Sequence, residues 1–272
     1  MLIRANRKAV NPQYLVYLML GDEIQGKILS MSNGATVHHL NMKDIRELKV
    51  PPIPNRLVQD RIADTLSAYD DLIENNSRRI KILEEMAQMI YREWFVNFRF
   101  PGHEKVKMVD SELGPIPEGW SVQPMNNVAE VIDCLHSKKP HAVQGGPGLL
   151  LQLSNISDGG KLDLTNEFRI SQEHYDLWTS RIELRQGDCV VPNIGRIGAA
   201  SQIPSGINAA LGRDLTAIRP KLIGPTYLIE YLMSPYMTTE IALKKDSRVI
   251  MEVLNVKGIN RSRLRSRNPA LD

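Results

Sequence analysis

The sequence predicts an α/β protein: a mixed body of short strands and helices joined to one long helix of coiled-coil type. Three observations carry this prediction. Ile62, Leu66, Tyr69, Ile73, Asn76, Ile80, Leu83, Ala87, Ile90 and Trp94 follow one another at alternating spacings of four and three, which is a heptad seam. Residues 118–260 are Gly-rich and carry short strand-like runs separated by turn residues. A segment near the start also recurs near the end.

The long helix is placed at 55–100. Prolines 51, 52 and 54 precede it and Pro101-Gly102 stops it. Residues 55–94 would span about 60 Å at 1.5 Å per residue. Asn76 is the polar position on an otherwise apolar seam, the kind that fixes register and oligomer state. The seam asks for a partner helix, and the chain offers no second helix of comparable length. In the repeat, Ile3-Arg4, Asn11-Pro12-x-Tyr14-Leu15, Tyr17-Leu18-Met19 and Leu40-Asn41 return as Ile218-Arg219, Gly224-Pro225-x-Tyr227-Leu228, Tyr231-Leu232-Met233 and Leu254-Asn255. Two copies of one module are therefore expected. The shared Pro-x-Tyr-Leu reads as a first helical turn with Pro near its start. The boundaries expected are 1–54 for the first copy, 55–100 for the helix, 101–117 for a linker, 118–260 for the main body, and 261–272 for a basic tail. That tail is read either as a phosphate grip or as disordered.

Composition narrows the function. The chain has 272 residues, 42% hydrophobic and 24% charged, which suits a globular protein. No apolar run approaches the ~18 residues of a membrane span. The N-terminus lacks the 7–15-residue apolar stretch of a secretory signal, and a cytoplasmic location is expected. Cys134 and Cys189, the two cysteines, exclude a disulfide framework and a four-Cys zinc site. The six histidines offer no H-x-x-x-H pair, so no metal is expected. Asn11-Pro12-Gln13-Tyr14 resembles the amine-binding loop of adenine methyltransferases. However, its third residue is Gln, the second copy reads Gly224-Pro225-Thr226-Tyr227, and no Gly-rich cofactor loop precedes it. Gly159-Gly160-Lys161 lacks the rest of a phosphate loop. No nucleophile–base constellation appears, so the chain reads as a binding scaffold and not an enzyme.

The central segment resembles type I restriction-modification specificity subunits, of a truncated kind. The marks are prolines 51, 52 and 54, then Gln59-x-Arg61-Ile62-Ala63, Leu83-Glu84, Trp94-Phe95 and Pro117-Glu118-Gly119-Trp120, joined downstream by Gly187-Asp188 and Gly195-Arg196-Ile197-Gly198. The resemblance implies two target recognition domains, each followed by a long helix, with the helices packed antiparallel as a spacer. Residues 1–54 would be the tail of the first such domain and 118–260 most of the second. The resemblance also implies double-stranded DNA as ligand, each domain reading one half of a split site. It implies a role in phage defence. The subunit would have no catalytic residue and bind no cofactor directly. Modification subunits would methylate adenine with S-adenosylmethionine, and the restriction subunit would use ATP and Mg. The chain departs from this pattern in length, in Arg248 where the first copy has Gly34, and in its Arg/Ser-rich end.

The body is not basic overall: residues 113–256 hold 13 Lys+Arg against 15 Asp+Glu. DNA contacts must therefore come from local clusters. The candidates are Ser137, Lys138, Lys139 and His141 in a loop after a strand-like run, Arg196 in the GRIG turn, Asn208 and Arg213 in GINAALGRD, and Asn155 in SNISDGG. These residue types donate to phosphates or to guanine and adenine edges. Each also has a plain reading as turn or surface residue. Trp120 and Trp178 are assigned to the core. With one long helix, the seam Ile62–Trp94 is expected to join a second specificity chain or a second copy of itself. A two-fold pair should read an interrupted palindrome. The other reading is a remnant that docks other subunits without reading DNA.

Overall fold

The computed structural model describes residues 3–31, 41–157, 159–196, 198–237, 239 and 256–267. Positions 34 and 248, the last part of the second repeat copy and residues 268–272 lie outside them. The chain divides into two compact units, 1–84 and 85–272, with the boundary inside the long helix.

The first unit holds α1 (Pro12–Leu20), α2 (Asp22–Met31), α3 (Met42–Arg46) and the start of α4 (Arg56–Tyr91). Asn11 explains how α1 begins. Its Oδ1 accepts from the amides of Gln13 (2.8 Å) and Tyr14 (3.2 Å), and Pro12 occupies the first turn, where no amide donor is needed. The Asn11 Nδ2 then donates to Asp60 (2.6 Å) on α4. Asn11 is thus a helix cap and a brace. Gln59, buried on α4, binds three backbone groups: its Nε2 donates to Pro54 O and Ala9 O, and its Oε1 accepts from Asn11 N. This accounts for the Gln59-x-Arg61 signature as a joint between the proline-rich lead and the helix.

The helix α4 runs 36 residues and closes in a π-helical turn, Arg92–Val96. Its seam is open. Ile62 and Leu66 are 37% and 38% exposed, while Tyr69, Ile73 and Leu83 exceed 60%. Asn76 is exposed, and Ile80, Ile90 and Trp94 lie between 38% and 46%. No helix among the described residues is long and apolar enough to cross a membrane.

The second unit is built on a five-stranded sheet ordered β4 (Ala129–Asp133), β12 (Leu215–Pro220), β9 (Cys189–Pro192), β10 (Ser201–Gln202), β6 (Gly160–Lys161). Pairing is antiparallel except for the parallel β10–β6 pair. On β12, between β4 and β9, Ile218 opposes Val131 on one side and Cys189 on the other. Two short antiparallel pairs accompany the sheet, β5 (Gly148–Leu149) with β7 (Arg169–Ile170) and β8 (Glu183–Leu184) with β11 (Ala209–Ala210). One core joins the sheet to α5 (Met125–Val128), α7 (Pro225–Leu232), α8 (Val256–Asn260) and Leu264. A second core lies under Leu149, Leu151, Leu184, Val190 and Leu215. A third gathers Leu150, Ile170 and Trp178, the last residue of α6 (Gln172–Trp178). Trp178 is buried, and its indole Nε1 has no hydrogen-bond partner among the described residues. Trp120 is half-buried and packs against Phe95, Phe98 and Phe100 at 5.5–5.7 Å.

Two segment expectations need correction. Residues 101–117 are not a plain linker: β1 (Met108–Val109) and β2 (Ile116–Pro117) form an antiparallel hairpin, and Ile116 is buried. Gly114, at φ 87°, makes the turn. The turn chemistry was that of a hairpin, not of a spacer. Nor is the basic tail wholly outside the fold. Arg263–Arg267 forms β13, antiparallel to β3 (Trp120–Pro124). Leu264 and Ser262 are buried, Arg263 pairs with Glu112 (3.3 Å), and Arg265 donates to Leu113 O (2.9 Å). A strand with one apolar residue leaves almost no hydrophobic signal. Its place comes from the ladder and from flanking acceptors.

Candidate nucleic-acid interface

Beside the second and third cores a cleft of about 600 Å³ opens, lined by Lys139, Gln152, Leu153, Ser154, Asn166, Glu167, Phe168, Arg213 and Asp214. It brings together two of the residues expected to meet DNA, Lys139 and Arg213, from loops far apart in sequence. Lys139 is held by its ring neighbour: Nζ stands 4.1 Å from the centroid of Phe168, which packs on the third core. A cation over an aromatic face keeps its charge available to a ligand while its position is set. Arg213 is exposed and forms no hydrogen bond or ion pair among the described residues. Its backbone is fixed by Gly212, where a Cβ would stand 1.7 Å from Leu151 O. Only glycine permits that approach. Asp214 follows in the left-handed region at φ 62°, a conformation Asp tolerates better than most residues. The second acid, Glu167, is neutralised by Arg169 at 2.7 Å.

The remaining candidates are dispersed. Ser137 is half-buried, and Lys138 and His141 are exposed on the same loop as Lys139, outside the cleft lining. Asn208 is exposed ahead of β11 and is also outside the lining. Arg196 reaches back to the chain: its Nη1 donates to Ile156 O, tying the GRIG turn to the end of the 153–156 segment. Asn155 departs most from expectation. It is 1% exposed and cannot meet a ligand. Its Nδ2 donates to Asp163 O (2.7 Å) and Asn166 O (3.2 Å), while its Oδ1 accepts from Gln152 N (2.8 Å). Asn155 is the internal clamp of a turn. Sequence reasoning passed over Gln152, Ser154, Asn166 and Phe168, which share no motif and meet only in the fold.

Asp133, Cys134 and His136 place potential ligand atoms within 4.8 Å of one another. The arrangement is already explained by protein bonds. The Asp133 carboxylate takes His136 Nε2 (2.8 Å) and the Cys134 amide (3.0 Å). Burial raises the Cys134 thiol above its ordinary range, which disfavours the thiolate a metal needs. The Gly187-Asp188 signature has a structural role. Asp188, 2% exposed, binds Arg219 through two bonds of 2.8 and 2.6 Å, and also accepts from Arg185 N. Gly187, at φ 89°, allows the turn.

The family model of the type I restriction modification DNA specificity domain matches residues 1–85. The type I restriction enzyme MjaVIII specificity subunit of Methanocaldococcus jannaschii is 25% identical over 249 residues, covering 88% of this chain and 56% of the relative. The MjaIX specificity subunit of the same organism is 30% identical over 125 residues, covering 46% of this chain and 29% of the relative. The chain thus spans about half the length of the first relative and less of the second. Among solved structures, the type I restriction-modification S subunit from M. genitalium superposes with a TM-score of 0.56 at 16% identity, over 95% of this chain and 62% of that one. The fold is shared.

Proposed function

We propose that this chain is a type I restriction-modification specificity subunit and that it reads one part of a split double-stranded DNA site. The observation that carries the reading is the cleft in which Lys139 and Arg213 converge on amide and carboxylate groups. Lys and Arg neutralise phosphates and address guanine, while amides and carboxylates address adenine and cytosine. A mixed cleft of this kind suits base edges better than a purely basic groove would. The subunit contributes recognition. Adenine methylation with S-adenosylmethionine belongs to modification subunits that dock on it, and ATP- and Mg-dependent translocation and cleavage to a restriction subunit. All of these act in the cytoplasm.

The open seam of α4 supports the second half of the proposal: a second specificity chain, most simply another copy, covers Ile62–Trp94. Two copies related by a two-fold axis read an interrupted palindrome. The test is selection from a random DNA library by the complex assembled with its cognate modification subunit, across a salt series. Enrichment of a two-part motif, with affinity falling as salt rises, is expected. The same exposed seam also suits a chain that docks other subunits without reading DNA. That reading predicts co-purification with the modification subunit and no enriched motif.

A further inference from the structure

We infer that Asn166 is a base-reading residue of the cleft, addressing adenine, and that buried Asn155 is the residue that positions it. The inference rests on the DNA-reading proposal and adds residues that no motif marks. Two amide side chains line the cleft, and they differ in what they have left to offer. The Gln152 Nε2 is committed to Leu151 O (2.9 Å) and Leu150 O (3.3 Å), which leaves that side chain only an acceptor. Asn166 is exposed, and its side chain has no partner among the described residues. It keeps both a donor and an acceptor, the pair needed to engage adenine N6 and N7 together.

An exposed asparagine on a loose loop would discriminate poorly, because ordering it costs entropy on binding. Here the loop is held from beneath. The Asn155 Nδ2 binds the backbone carbonyl of Asn166 itself and that of Asp163, and the Asn155 Oδ1 takes the Gln152 amide. One buried side chain therefore fixes both walls that carry amides. In the same cleft, Lys139 is seated on Phe168 and Arg213 is fixed by the Gly212 approach. The cations would set affinity and register, and Asn166 would set identity at one base pair.

The test is motif selection by the complex assembled with its cognate modification subunit, using wild type, Asn166→Ala, Asn155→Ala, the double variant and Lys139→Ala. Asn166→Ala should lose preference for adenine at one motif position by about 5-fold or more, with the salt slope unchanged. Asn155→Ala should relax the same position, and the double variant should add nothing to Asn166→Ala. Lys139→Ala should weaken all sequences alike and lower the salt slope by about one. If Asn155→Ala does not fold, Asn166→Ala alone decides. A wild-type motif that Asn166→Ala leaves intact overturns this inference while the DNA-reading proposal stands. A wild-type complex that selects no motif overturns both.

Discussion

Asp188 and Arg219 make a contact that is costly to break. Removing one partner of a buried, doubly bonded pair leaves an uncompensated charge and costs about 3–5 kcal/mol. Arg219→Ala should accordingly lower the unfolding free energy by that amount, measured by guanidinium denaturation at constant pH. The two thiols give a second expectation. Burial pushes Cys189 up to about 12 and raises Cys134 as well. Neither should alkylate in the native protein at about pH 8, near the ordinary thiol range, and both should react once it is unfolded. In the first unit Asp60 is held below the ordinary carboxylate range, first by the Asn11 amide and then by Arg56. A depressed carboxylate stabilises the folded form above its unfolded pKa. That contribution is lost as pH falls through the lowered value, so an NMR titration of Asp60 should place its midpoint below 3.8. The substitution Asp60→Asn should flatten the acid limb of stability. At this scale the sequence was partly legible. Lys139 and Arg213 carried a charge signal, whereas Asn155 and Asn166 are the same residue type in similar polar surroundings. Only burial tells the clamp from the reader.

Elements were legible where periodicity was long. The seam of α4 shows in spacing alone because nine consecutive intervals agree. The Pro-x-Tyr-Leu repeat gave the starts of α1 and α7, and both begin with Pro in the first turn. The two copies then diverge in burial: Ile218 lies on the interior strand β12 at 0% exposure, while its counterpart Ile3 is 48% exposed. Strands of two residues, such as β5 and β7, leave too few positions for alternation to register. β13 was hidden for a different reason: four of its five residues are polar. The seam carries its own prediction. Ile73→Asp combined with Ile80→Asp should abolish self-association, read as a halving of mass by light scattering at micromolar concentration. Helical content should change little, because both side chains are exposed. A wild-type monomer in that experiment would contradict the seam as an interface between copies.

For the whole molecule, the legible part was the order of parts: proline-rich lead, seam helix and PEGW segment. What was not legible was the cleft, whose walls come from residues 139, 152–154, 166–168 and 213–214. Long-range contacts across a sheet leave no local pattern, and loop geometry decides which side chains meet. Under the proposed function, the chain directs adenine methylation by its partner subunits to a two-part sequence. The most direct test is long-read sequencing for N6-methyladenine in cells that express the chain with its cognate modification subunit. A split palindromic motif is the expected result. An absence of any motif, with both proteins soluble and co-purifying, would contradict the claim.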